Sequence, residues 1–342
     1  MNFEGRKAVF IVLFSLTGLL FIGRLFYMQV IDDQWIQRAG EVAQKKITVK
    51  PPRGIMLDRF GNKVVSNKTY YNLMFVENQI KDLDTNAFAE LIGMEPWQVC
   101  EQFENIRNSL DRKTKDRKTG RDTIVNDYRS YLPYAFLREL DAEEISKIAA
   151  DLWRFPGFYE EPVSMRNYPF PNGANIFGYL NEISGEELAE ERSFYRIGDV
   201  VGRAGLEKYY ERYLRGTKGS KYVLRSARGK IIENFADGKL DTIAKQGPTL
   251  TLGVDIELQA YGEQLMEGKL GSIVAIEPAS GEILAMVSSP SFDPNLLVGT
   301  RNIKKNYNKL LSNPFKPMYP RPYQSEYPPG SIFKVVQALV GL

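Results

Sequence analysis

From Ala8 to Gly23 the chain runs sixteen residues without a charge, and after Arg24 the apolar character resumes as far as Ile31. Nothing else in the sequence restricts the fold so strongly, because such a run has to lie in a core or in a bilayer. Twenty-four residues of helix are about 36 Å long, enough to cross a hydrocarbon core. Arg24 stands near the far end, where its side chain can snorkel to the interface. Arg6 and Lys7 precede the run and Asp32-Asp33 follow it. The positive-inside rule therefore puts the N-terminus in the cytoplasm and the remainder outside. No small-x-small cleavage site follows, and the run exceeds an ordinary signal-peptide core. An uncleaved transmembrane anchor over 8–31, behind a cytoplasmic tail of residues 1–7, is expected.

The rest of the chain, out of 342 residues, leaves room for two or more domains, and its 43% hydrophobic content suffices for real cores. A net charge of +3 gives no electrostatic case for nucleic acid. Histidine is absent and Cys100 is the single cysteine. That removes Ser-His-Asp and Cys-His catalysis, the usual zinc sets and an intramolecular disulfide. No cofactor or metal is expected. A hydrolase or transferase built from this chain has to use lysine or a carboxylate as its base. Cys100 itself reads as a buried helix residue.

Taken in order, Trp35 to about Lys46 reads as a helix, and 47–65 as two strands around the turn Gly61-Asn62. Tyr70 to Val76 is a further strand, and Leu83 to Leu110 is helical with a break at Gly93-Met-Glu-Pro96. The mixed-charge run Asp111 to Asp122 reads as a solvated loop. Ala142 to Leu152 has helical periodicity, and the stretch from Phe155 to Pro169 alternates like a strand. A glycine turn at Gly205 lacks the spacing of a phosphate loop. Lys221 to Phe235 reads as strand–turn–strand. Composition shifts near Ala244, where a strand feeds the helix Ile256 to Met266. An apolar hairpin over 271–290 follows, and residues 296–325 form a polar connection to the last segment.

That last segment is Tyr327-Pro-Pro-Gly330-Ser331-Ile-Phe-Lys334, opening an apolar helix to Leu342. The Pro-Pro-Gly turn starts a helix near Ser331 and carries Ser331 and Lys334 on one face at i, i+3. A serine nucleophile with a lysine to take its proton is one reading of that pair. A plain Ser N-cap with an exposed first-turn lysine is the other.

Eight motifs occur in sequence order: Arg53-Gly54 through Gly61, Arg166 to Pro169, Gly178-Tyr179, Gly202 to Glu207, Leu214 to Gly219, Leu252 to Gln259, Pro278 to Ala285, and Tyr327 to Lys334. Their order resembles that of class B penicillin-binding proteins of the elongation type, over essentially the whole chain. Asn175 departs from the pattern, standing where the family often has His before Gly-Tyr.

The resemblance implies an α+β multidomain fold. It comprises the anchor, a mixed α+β pedestal over 32–245, and the N-terminal part of a serine β-lactamase-like transpeptidase domain over 246–342. It implies a peptidoglycan D,D-transpeptidase on the outer face of a bacterial inner membrane, with Ser331 as nucleophile and Lys334 as general base. Implied ligands and partners are peptidoglycan stem peptides, β-lactams as inhibitors, the membrane, a polytopic glycosyltransferase and other elongation-complex proteins. A lysine in water is only about one part in a thousand neutral near pH 7.4. The family depresses that pKa with Ser-x-Asn and Lys-Thr/Ser-Gly motifs C-terminal to the nucleophile helix. Only eight residues follow Lys334 here, so a truncated fragment, inactive alone, is expected. A membrane-anchored scaffold without transpeptidation is the competing function. The remaining motif residues, Arg53, Asp58, Arg59, Arg166 and Glu207, are expected to be ion pairs and turn fixtures of the pedestal.

Overall fold

The computed structural model describes residues 3–27, 44–115, 122–191, 193–196, 198–225 and 231–342. The chain divides into one unit of Met1–Val49 with Lys218–Ile243 and a second of Lys50–Thr217 with Ala244–Leu342.

In the first unit the apolar N-terminal segment is the helix Phe3–Phe26. Its described apolar side chains, among them Phe14, Leu19 and Leu20, are exposed. Among the described residues no helix is long and apolar enough to cross a membrane. The span expected over 8–31 is therefore not supported by the described helix, which covers that stretch only as far as Phe26, while residues 28–31 lie outside the described residues. The uncharged run within it is sixteen residues, about 24 Å of helix. Residues 28–43, which include most of the helix expected over 35–46, lie outside the described residues. Lys45 and Lys46 belong instead to the strand Gln44–Val49, which pairs antiparallel with Gly219–Arg225 from Gln44↔Leu224 to Val49↔Gly219. Ile231–Asn234 completes this three-stranded sheet on the far side of Gly219–Arg225, as strand–turn–strand reasoning expects.

The second unit is built on the strand Lys63–Phe75. The short strand Met56–Leu57 pairs with its beginning across the turn 58–62, which is the expected hairpin. Phe158–Asn167 runs antiparallel along it from Ser66↔Asn167 to Phe75↔Phe158, and Tyr134–Leu140 pairs with its last residues. Leu250–Thr251 joins the same sheet parallel to Met56–Leu57. The helices Thr85–Ile92 and Pro96–Asn108 are separated by Gly93 in the left-handed region, φ 68°, with Pro96 opening the second one. Asp84 caps the first by accepting from the amides of Asn86 and Ala87. Asp141 and Glu144 form a reciprocal capping box on Ala142–Ala149. The helices cover an aromatic core in which Phe88 lies 4.3 Å from Phe158 and 5.1 Å from Phe155, centroid to centroid.

Two expectations are corrected in this unit. Cys100 is exposed, because the helix Pro96–Asn108 turns Val99 rather than Cys100 into the core. The run Asp111 to Asp122 is not simply a loop. Asp111–Lys115 and Asp122–Asn126 are paired strands, the second carrying the β-branched run Thr123-Ile124-Val125 that favours a strand, and residues 116–121 between them lie outside the described residues. The connection over 296–325 contains the helices Ile303–Leu311 and Arg321–Gln324.

The hairpin Gly271–Ile276 with Ile283–Ser289 forms as expected, against the helix Ile256–Leu265. Gln259 on that helix is fully buried. Its amide accepts from Met286 N–H at 2.8 Å and donates to the Met286 carbonyl at 3.2 Å, as a neighbouring strand would. Residues Val254 and Ile256 share one core with Met56, Val64, Tyr168, Phe177 and Leu214.

Candidate active site

Two constellations hold the motif residues, and the first is a buried ion cluster. Arg53 donates from Nε to Glu207 at 2.6 Å and from Nη2 to Glu211 at 2.6 Å. Arg166 donates from Nε to the other Glu207 oxygen at 2.7 Å and from Nη1 to Asn67 at 2.9 Å. Asn67 in turn donates to the Arg53 carbonyl at 2.6 Å. Glu211 also accepts from Tyr195 Oη at 2.6 Å and from Gly202 N–H at 2.8 Å. Two arginines and two glutamates leave the cluster neutral. Burial alone would lower the Arg53 pKa, but the bonds and charges of Glu211 and Glu207 outweigh it and the net shift is upward. Burial would likewise raise Glu211, yet Arg53, Tyr195 and the Gly202 amide hold it below the usual carboxylate range. For Arg166 burial dominates and the shift is downward.

Arg53, Arg166 and Glu207 are thus structural, as the motif reading expects. Asp58 fixes its turn by accepting from the amides of Phe60 and Asn62 at 2.9 and 2.8 Å. Arg59 faces Glu277 and Glu282 at 3.5 and 3.6 Å. Sequence reasoning missed Glu211, Asn67 and Tyr195. For Glu211 a signal existed, since it follows Glu207 by four residues in a helical stretch.

The glycines of the same motifs permit close backbone approach. A Cβ on Gly178, φ 81°, would sit 1.9 Å from the Ala204 carbonyl oxygen. Gly178→Ala is expected to destabilise the protein by about 2–4 kcal/mol through steric overlap and left-handed strain. Urea unfolding checks this, and a midpoint equal to wild type would mean the backbone can move apart cheaply.

The second constellation is the C-terminal segment. Gly330 takes φ 58°, a 3-10 turn runs Gly330–Ile332, and the helix Phe333–Gly341 follows. Neither the turn nor the helix has a side-chain cap, so Ser331 does not act as an N-cap. Its hydroxyl is left for other use. Ser331 and Lys334 are both exposed, one turn apart in sequence, and so are Ile332, Val335, Leu339 and Val340. Upstream of this helix, Arg321 is buried and has no carboxylate partner among the described residues. Its guanidinium donates to the carbonyls of Phe315 and Lys316, at 2.5 and 3.2 Å, and its amide donates to Ser288 Oγ. Asn175 donates to the Pro317 carbonyl at 3.2 Å, so the departure at that position is absorbed by a local hydrogen bond.

Residues 48–252 match the family model described as penicillin-binding protein dimerisation domain, and residues 271–342 match the penicillin-binding protein transpeptidase domain. The chain is 31% identical over 347 residues to peptidoglycan D,D-transpeptidase MrdA of Acinetobacter baumannii, covering 99% of this chain and 48% of that protein. It is 29% identical to the MrdA of Haemophilus influenzae, covering 97% and 49%. The chain spans about half the length of these curated relatives. A solved complex of penicillin-binding protein PBP2 with MreC from Helicobacter pylori has the same fold, with a TM-score of 0.63 at 22% identity over 86% of this chain and 52% of that one.

Proposed function

The chain belongs to the penicillin-binding protein family, and from that premise we propose that the whole protein is a peptidoglycan D,D-transpeptidase working through a Ser331 acyl-enzyme. The observation that carries the reading is the uncapped, exposed Ser331 at the mouth of a helix with Lys334 one turn on. Ser331 Oγ attacks the carbonyl between the two terminal D-alanines of a stem peptide while its proton passes to Lys334 Nζ. The C–N bond breaks, and the departing D-Ala amine takes that proton. The amine of a second stem peptide then attacks the ester, forming the cross-link and returning the proton to Oγ. The Ser331 N–H supplies one donor to the oxyanion. A β-lactam follows the first half of this course, but its leaving amine stays tethered, so the ester persists.

The boundary between pedestal and transpeptidase domain is proposed near residue 245, and an anchoring role is proposed for the helix Phe3–Phe26 with the residues after it. The exposed apolar side chains of that helix support anchoring. The protein is expected in the inner-membrane fraction and to resist carbonate extraction, and recovery in the soluble fraction would end that reading. A partner protein of the elongation machinery is proposed by analogy with the PBP2–MreC complex.

The test is a fluorescent-penicillin gel of membranes from the source cell, with mass spectrometry of the labelled peptide. A label on the Ser331 peptide supports the transpeptidase. A Ser331 peptide found only in unlabelled protein overturns it in favour of the scaffold.

A further inference from the structure

Apart from the nucleophile helix, the second unit has a cleft of about 350 Å³ between the segment 174–179, the turn 203–208 and the helix Arg321–Gln324. That volume falls within the range of small-ligand sites. Its polar lining is Asn175, Tyr179, Arg203, Lys208, Tyr323 and Gln324, and no lining residue is acidic.

The two cations are not equivalent. Arg203 donates from Nη1 to both Glu187 oxygens, at 2.6 and 2.7 Å, and from Nη2 to the Glu182 carbonyl at 2.5 Å. The Ser184 amide and hydroxyl, and then Arg203, hold the Glu187 pKa down at about 2, so this pair stays ionised and mutually neutralised. Lys208 is exposed and has no ion-pair partner among the described residues. It is the cation that a ligand carboxylate can meet. The Nδ2 of Asn175 is committed to Pro317, which leaves Oδ1 to accept from an N–H or O–H of a ligand. The Tyr179 ring is tilted against Tyr307 at 6.2 Å, and the Tyr323 ring is 58% exposed. Aromatic faces of this kind receive the C–H face of a sugar or a peptide. A bare anion would use neither the rings nor the Asn175 acceptor.

We propose that this cleft is a second substrate site, which holds the carboxylate-bearing part of a glycopeptide strand on Lys208, Asn175 and Tyr323, apart from the reacting group at Ser331. The proposal rests on the transpeptidase reading for the identity of the polymer. A muropeptide supplies all the matching groups: carboxylates, acetamido N–H and hydroxyl donors, and sugar faces. Gln324 and Tyr323 sit seven and eight residues before Ser331, on the helix Arg321–Gln324, so a strand held here lies on the element that precedes the nucleophile in the chain.

The test measures binding of a soluble disaccharide-pentapeptide to the detergent-solubilised full-length protein, alongside the same molecule with its carboxylates amidated. The free acid is expected to bind wild type more tightly. Lys208→Glu is expected to weaken it by about tenfold or more, Lys208→Arg to retain it within about threefold, and Tyr323→Ala to weaken both forms alike. Unfolding midpoints confirm that the variants fold. Equal binding of free and amidated forms, or indifference to Lys208→Glu, overturns the proposal. So does absence of binding in a wild-type protein whose Ser331 is acylated by penicillin. Lys208-dependent binding in a protein whose Ser331 takes no penicillin keeps the cleft as a site and removes the transpeptidase reading.

Discussion

Glu207→Ala is expected to destabilise the protein by about 3–5 kcal/mol, the cost of leaving buried charge without its partner. Glu207 is fully buried and joins Arg53 and Arg166 through its two carboxylate oxygens, so its loss strips a bond from each guanidinium at once. Neither arginine escapes by deprotonating, because guanidinium stays charged in proteins. Glu207→Gln keeps the shape but not the charge and is expected to fall between wild type and Ala. Urea unfolding of the full-length protein checks both. A change below about 1 kcal/mol for Glu207→Ala would show that water or backbone rearrangement satisfies the arginines, and the cluster would lose its structural rank. The same cluster has a pH signature. Glu211 has a folded-state pKa below its unfolded value, so its contribution is fully present above about pH 4.5. It is lost as pH falls through the depressed folded value. Glu211→Gln is expected to flatten the acid limb of the stability profile.

Ser331→Ala is expected to abolish covalent penicillin labelling, a loss of at least about 10³-fold in acylation rate, because no other group replaces the attacking oxygen. Lys334→Ala is expected to reduce the rate by about 10²–10⁴-fold, the usual range for a positioned proton acceptor. Lys334→Arg is expected not to rescue it, since a guanidinium cannot take a proton. Stopped-flow acylation of the whole protein measures all three. Persisting label in Ser331→Ala would move the nucleophile elsewhere, and a rescued Lys334→Arg would reduce the lysine to a fixed charge.

Much of the local structure was legible from residue pattern alone. The break between the helices Thr85–Ile92 and Pro96–Asn108 follows from Gly93 and Pro96, and the hairpin over 271–289 follows from two apolar runs around a Pro/Ser/Gly turn. The start of the last helix follows from Pro-Pro-Gly. Each of these depends on backbone preferences and spacings within about ten residues, which is the range over which sequence acts directly. The candidate pair Ser331 and Lys334 was readable for the same reason, being three residues apart where a 3-10 turn runs into the last helix.

Other features lay beyond that range. Cys100 is exposed because only the packing of its helix decides which residues face the core. The charged run after Leu110 pairs as a ribbon because two strands found each other across it. Arg321 reads as one more surface cation, yet it is buried among carbonyls supplied by a turn that only the fold creates.

By itself, then, the sequence determined many of the turns and helix breaks, the lack of histidine, and the spacing of Ser331 and Lys334, because those are matters of composition and short-range geometry. Only the tertiary structure decided that Arg53, Arg166, Glu207 and Glu211, spread over 158 positions, close one neutral cluster, and that Lys208 is left open beside a neutralised Arg203. Charges choose partners through space. Which of them end up buried together, and which are left facing a cleft, depends on contacts between segments far apart in the chain.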